Sequence, residues 1–140
     1  MAGGQLQAEL GNLEEICVVT ADGKATIRGY AAMGIGPFKI YDFTEKTVRD
    51  RKWYGKPGDF TLRVAFAKLG NVTWEIIQPT GGASLMAEYL TRTGNRQGVQ
   101  HVAFDMKNVP MKQRREMMAA KGIQPASESS LTLNTKIEDH

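Results

Sequence analysis

Hydrophobic and polar positions alternate between two rhythms along this chain, and each change of rhythm predicts a new element. "LEEICVVT" (13–20) is dense in β-branched residues and ends on the turn-forming "ADG", which predicts a strand. A helix is expected next: Asp22 is a good N-cap, Ile27, Tyr30 and Ala31 recur at helical spacing, and Gly34, Gly36 and Pro37 supply the stop. "FKIYDF" (38–43) alternates and predicts a second strand, after which residues 45–56 read as a basic loop ending at the turn signal "KPGD". "FTLRVAFAKLG" and "NVTWEIIQP" predict a hairpin, its "LGN" link tolerating positive φ at Gly70 and Asn71.

Beyond "PTGGA", Ser84 caps a short predicted helix, "LMAEYLTRT", and "VQHVAFDM" (99–106) returns to strand. Asn108 and Pro110 open the helix "MKQRREMMAA", which carries Met111, the Arg115 stem, Met118 and Ala119 on one face and closes at Gly122. "VVTADGKATIRGYAAMGI" and "AFDMKNVPMKQRREMMAAKGI" align as strand, polar turn, helix, glycine, isoleucine. This is an internal repeat with a period of roughly 85 residues, which suits two paired modules rather than a solenoid. The expected division is an N-terminal tail (1–11), a first module (12–80), a linker with a short helix (81–97) and a partial second module (98–140). Past Ile123 only "SLTLNTKI" reads as strand, so the second module lacks strands that the first has. Its open sheet edge is expected to be covered by a second copy, giving a homodimer.

Composition narrows the class. Of 140 residues, 41% are hydrophobic and 24% charged, ordinary values for a soluble globular protein. No apolar run approaches the roughly 20 residues that span a bilayer, and the start lacks the pattern of a secretory signal. The single cysteine, Cys17, excludes an internal disulfide and suits a reducing compartment, so a cytoplasmic location is expected. The net charge of +3 is gathered in "EKTVRDRKWYGK" (45–56), where Lys46, Arg49, Arg51, Lys52 and Lys56 surround Trp53 and Tyr54. A solvated loop, an anionic-ligand site and a single-strand platform all fit that pattern; confinement to one loop makes nucleic acid the least favoured.

Apart from the terminal His140, His101 is the one histidine. Strand alternation places it on a face with Val99, Ala103 and Asp105, opposite Gln100, Val102 and Phe104. Glu15 holds the equivalent place in the first repeat. Glu75 stands between Trp74 and Ile76, where an unpaired charge is costly to bury. Glu15, Glu75 and His101 together form a candidate cluster of the kind that holds a divalent ion with open positions, or that works as acid and base without one. The plainer alternatives are a structural histidine and two solvent-facing carboxylates. The chain has no glycine-rich phosphate loop, paired-cysteine motif or nucleophile elbow, and catalysis by Cys17 would need His101 beside it.

"LEEICVVTAD", "MGIGPFKIYDF", "LGNVTWEIIQPTGGASLMAEYL" and "RQGVQHVAFDM", in this order and spacing over residues 12–123, resemble the vicinal oxygen chelate superfamily, in particular its glyoxalase-like and methylmalonyl-CoA-epimerase-like branch. The resemblance implies an α+β fold of paired βαβββ modules forming an open curved sheet or barrel, with the second module incomplete here. It places Glu75 and His101 at two of the family's four metal positions, and Glu15 where a histidine is expected. Gln100 replaces the partner of a double histidine, and Glu138 is the one candidate for the fourth ligand. It implies an isomerase, epimerase, cyclase or lyase acting on a small carbonyl-containing or apolar substrate, with Glu15, Glu75 and His101 catalytic. Trp74, Trp53, Tyr54, Arg51 and Phe104 would be substrate-binding, and methionines would line the pocket. The cofactor is then none, or a divalent metal ion held by Glu75, His101 and Glu15. The alternative is a non-catalytic protein of the same fold that sequesters a small molecule.

Overall fold

The computed structural model describes residues 10–131 and the backbone of 136–139. The first module runs β1 (Leu13–Val19), α1 (Gly23–Ala32), β2 (Lys39–Phe43), β3 (Val48–Trp53), β4 (Lys56–Pro57), β5 (Thr61–Leu69) and β6 (Val72–Gly81). Helix α2 (Leu85–Thr93) leads to β7 (Gly98–Phe104), a 3-10 turn (Met106–Asn108), α3 (Met111–Ala119), β8 (Ser127–Leu131) and β9 (Lys136–Asp139). A six-stranded sheet has the order β7-β1-β6-β5-β2-β9, and β4-β3-β8 form a smaller one. No described helix is long and apolar enough to cross a membrane.

Local chemistry explains the first module. The Asp22 side chain accepts from Ala25 N–H, closing the N-terminus of α1. Ser84 caps α2 in the same way, and Gly94 ends that helix in the left-handed region. In the β5–β6 hairpin only Gly70 takes positive φ; Asn71 does not. Alternation then sorts the sheet into two faces. On one, Ile40, Ala65, Ala67 and Ile76 meet Phe38 and Ile27 of α1, with Tyr30 and Trp74 beside them. On the other, Cys17, Val19, Leu62, Val64 and Ile77 meet Phe60 and Leu90 of α2, with Phe66, Met86 and Tyr89 beside them. The sheet is therefore an apolar layer covered on both faces.

Three expectations need correction. The basic segment is not a loop: Val48–Trp53 is a strand, because β4 and β8 supply hydrogen-bonded partners that charged composition does not reveal. "SLTLNTKI" is not one strand. Ser127–Leu131 pairs with β3, while Lys136–Asp139 pairs with β2 in the other sheet, and 132–135 lie outside the described residues. The apolar face expected on α3 is uncovered, since none of its residues is buried and Met111 is 64% exposed.

Candidate active site

Strands β7, β1 and β6 lie side by side, and their registers set one residue from each in a row. Cys17 stands opposite His101 on one side and opposite Glu75 on the other. Residues in register on neighbouring strands share a face, so the three side chains converge by topology alone. Their nitrogen, sulfur and oxygen donors all lie within 4.8 Å of one another, and His101 Nε2 is 3.7 Å from Glu75 Oε1. Glu15, two residues before Cys17 on β1, shares its face and lies close enough to raise the pKa of the Glu75 carboxyl. The structure thus brings Glu15, Glu75 and His101 together and adds Cys17 between them.

Burial decides the charge states. Glu75 is 6% exposed. Loss of water first, then the charge and hydrogen bond of Glu15, push its carboxyl up to about 8, against a smaller opposing bond from Cys17. The Cys17 thiol is driven far above its ordinary range by burial, then by Glu75 and Glu15. It stays a thiol, which removes it as a free nucleophile even though His101 is adjacent. Burial lowers the pKa of His101, with Glu15 pulling the other way. At neutral pH a protonated carboxyl therefore faces a neutral imidazole. His101, its side chain 38% exposed, is the member that solvent reaches; Glu75 lies behind it.

The remaining expected residues are elsewhere. Trp74 follows strand alternation to the opposite face, where it meets Tyr30 edge-on at 5.4 Å under α1, so it does not line the acids. Arg51 Nη1 donates to the Phe60 carbonyl at 2.7 Å, a structural tie within the chain. Trp53 and Tyr54 stack edge-on at 5.1 Å, and the Tyr54 hydroxyl donates to Glu88 on α2. Phe104 pairs with Leu13, one residue past Ala103 and so on the other face from His101. Glu138 lies on β9, at the sheet edge opposite β7, and is not brought to the cluster.

Two participants escape a reading of the sequence. Cys17 looks there like one more residue of an apolar strand; its parity with Glu15 is the available signal. Gln100 is the second. His101 pairs with Cys17 and Val99 with Val18, so Gln100 is an extra residue in β7, and this bulge puts Val99 on the face away from His101, contrary to simple alternation. A cavity of about 470 Å³ is lined by Thr20, Asp22, Thr26, Tyr30 and Gln97. Another, of about 670 Å³, lies between α3 and β8 and is lined by Met106, Met111, Met118 and Ile123. Neither is lined by Glu75 or His101.

A family model for the glyoxalase/bleomycin resistance protein/dioxygenase superfamily matches residues 14–135. The chain belongs to that superfamily. Among solved structures, it is similar to Streptomyces coelicolor methylmalonyl-CoA epimerase, a serine-to-threonine variant in complex with 2-nitronate-propionyl-CoA. The TM-score is 0.59 at 22% identity, over 82% of this chain and 72% of that one. At that identity the likeness is one of fold. No curated protein sequence matches significantly.

Superfamily members often use a divalent metal, and the donors here fit one. Around a tetrahedral ion with bonds of roughly 2.0–2.3 Å, two donors stand about 3.3–3.8 Å apart. Donors spread within 4.8 Å of one another would draw in by up to about 1–1.5 Å to reach that spacing. Thiolate, carboxylate and imidazole are the set that zinc accepts, so binding would displace the protons of Cys17 and Glu75. Cys17, Glu75 and His101 would hold the ion, with Glu15 alongside.

Proposed function

We propose that this superfamily member is an isomerase or epimerase that moves a proton at a carbon next to a carbonyl. The observation that carries the reading is the buried Glu75 carboxyl 3.7 Å from the His101 imidazole on one face of the sheet, where burial pushes the first pKa up and the second down. Environments that hold one group as acid and the other as base at the same pH divide the labour of enolisation between them. His101 takes the proton from carbon, and Glu75 gives one to the neighbouring oxygen, where charge develops. As the enol collapses, Glu75 takes its proton back from the oxygen and His101 returns a proton to carbon, with Glu15 alongside Glu75 favouring the protonated carboxyl. A divalent ion, if bound by Cys17, Glu75 and His101, would occupy those donors and supply electrostatic stabilisation of the same oxygen in place of their acid–base work.

The substrate class is a small carbonyl compound or acyl thioester, the latter prompted by the ligand of the similar epimerase. Solvent-exchange assays test the reading. In D2O, a panel of acyl thioesters and 2-substituted carbonyl compounds is expected to gain deuterium at the carbon next to the carbonyl, with and without added Zn2+. Glu75→Gln and His101→Ala should each slow exchange by about 100-fold or more. Exchange no faster than buffer across the panel, or equal in parent and variants, removes the proposal. A binding role without turnover is favoured by one feature, the methionine-lined cavity beside α3, which lies apart from the acids. Tight binding of a panel member without exchange is its expected signature.

We also propose a homodimer in which a second copy covers β7. That strand is an edge of its sheet, carries no Lys, Arg, Asp, Glu or Pro, and exposes Val99 (55%) and Val102 (46%). An edge so unprotected is a template for pairing. A monomer mass by sedimentation at micromolar concentration counts against it; a dimer that Val102→Lys dissociates supports it.

A further inference from the structure

Consecutive residues of a regular strand send their side chains to opposite faces, so Gln100 belongs on the far side of the sheet from His101. The bulge overrides this. Because Gln100 is the residue without a partner on β1, its side chain is turned toward its neighbour, and Oε1 lies 2.6 Å from His101 Nδ1. At the other end of the same amide, Nε2 donates to the carbonyl of Leu85, the first residue of α2, at 3.0 Å.

That second bond determines the first. A backbone carbonyl oxygen only accepts, so the amide nitrogen must face Leu85 and the amide oxygen must face the ring. The amide oxygen also only accepts, so Nδ1 carries the hydrogen. The neutral ring then keeps its lone pair on Nε2, the nitrogen that faces Glu75 at 3.7 Å. We propose that Gln100 is a positioning residue that locks His101 in the Nδ1–H tautomer, and that the bulge in β7 together with the first carbonyl of α2 exists in this fold to hold that lock. The catalytic meaning rests on the proposed function: Nε2 can act as a base only while it is bare. A wrong tautomer in an acid–base site costs on the order of 10⁴ in rate in serine proteases, whose aspartate plays the corresponding part.

The tautomer is measurable without substrate or metal. In 15N-labelled, metal-free full-length protein at pH 8, two-bond 1H–15N spectra should show His101 with a protonated Nδ1 and a bare Nε2; only His140 competes for assignment. Gln100→Leu removes the acceptor and should convert His101 to a mixture or to the Nε2–H form. Gln100→Glu keeps an oxygen beside Nδ1 and should restore the parent pattern. Amide fingerprints matching the parent serve as the folding control. An Nε2–H parent, or a Leu variant with unchanged ring shifts, overturns the lock. The exchange assay then separates the two readings. The lock predicts that Gln100→Leu slows exchange by about 100-fold and that Gln100→Glu regains most of it. A locked parent that exchanges no substrate proton leaves the lock standing and removes the enolisation reading. Rapid exchange with unchanged rate and tautomer in the Leu variant does the reverse.

Discussion

The two halves of this chain start from the same unit and end differently. In the first, β1 and α1 are followed by β2, β5 and β6, which join β1 in the run β1-β6-β5-β2, and Gly23, Thr26 and Ile27 of α1 are buried. In the second, β7 and α3 are followed by strands that pair with β3 and β2 instead, and no residue of α3 is fully buried. A strand–helix pair therefore does not make a module. The helix gains its stability from the sheet beneath it, and only the first half supplies one. The site falls on the seam between the halves, with His101 from the second and the other three groups from the first.

The largest expected difference tests that contrast directly. Ile76, 1% exposed in the layer under α1, should cost about 2–5 kcal/mol when changed to Ala. Met118→Ala on α3 should cost less than about 1 kcal/mol, the ordinary range for a poorly buried position. Urea unfolding of both variants decides it, and equal losses would mean that α3 has a cover which the isolated chain does not show.

The seam should be visible in the pH dependence of stability. The carboxyl of Glu75 has its folded-state pKa raised to about 8, above the unfolded value near 4.3. The folded state thus binds the proton more tightly, so this group's stabilising contribution is complete below about pH 4. It is lost progressively as pH rises toward 8, by at most about 1.4 kcal/mol per pH unit, and is constant above that. Glu75→Gln should flatten the profile between pH 5 and 8 and raise Tm most at pH 8. A variant whose advantage grows toward low pH would reverse the sign and remove the buried acid from the account.

Legibility in the sequence follows the same division. Strands and helices of the first module are readable because alternation, caps and glycines all agree there. Glu75 and His101 stand out as polar residues inside apolar strands, and the structure sets them side by side. Cys17 is not legible as a member, because its role depends on which strands flank β1, and register between distant segments is not written in any one of them. The bulge at Gln100 is hidden for the same reason: an extra residue is extra only relative to its partner strand. The charged strand β3 has no apolar alternation of its own and exists through its pairing with β8.

In the second half, an ion pair joins α3 to β8, Arg115 Nη1 to Glu128 Oε1 at 2.6 Å. Arg115 is mostly exposed, so the pair is screened by water and salt. A double-mutant cycle with Arg115→Ala and Glu128→Ala should give a coupling of about 0.2–1 kcal/mol that shrinks as salt is raised. A coupling several times larger would mark this contact as a true anchor and weaken the contrast with the first half.

The smallest effect concerns the turns that launch the two helices. Before α1, Thr20 and Thr26 share a buried hydroxyl contact at 2.8 Å, Gln97 accepts from Thr26, and Asp22 caps the helix. Before α3, Met106, Lys107 and Asn108 all take positive φ, and Pro110 offers no side-chain cap. Asp105 holds this turn by accepting from Lys107 N–H and Asn12 N–H. A left-handed residue other than glycine costs roughly 1–2 kcal/mol, less for asparagine, whose short polar side chain bonds locally. Glycine removes that strain but gives more freedom to the unfolded chain, which returns part of the gain. Lys107→Gly should therefore stabilise by about 0.5–1 kcal/mol, and Asn108→Gly by little or nothing, as read from urea midpoints at constant m. Equal gains at both positions would show that the turn is not held by local backbone preference, and a loss at Lys107 would mean that its side chain contributes more than its strained backbone costs.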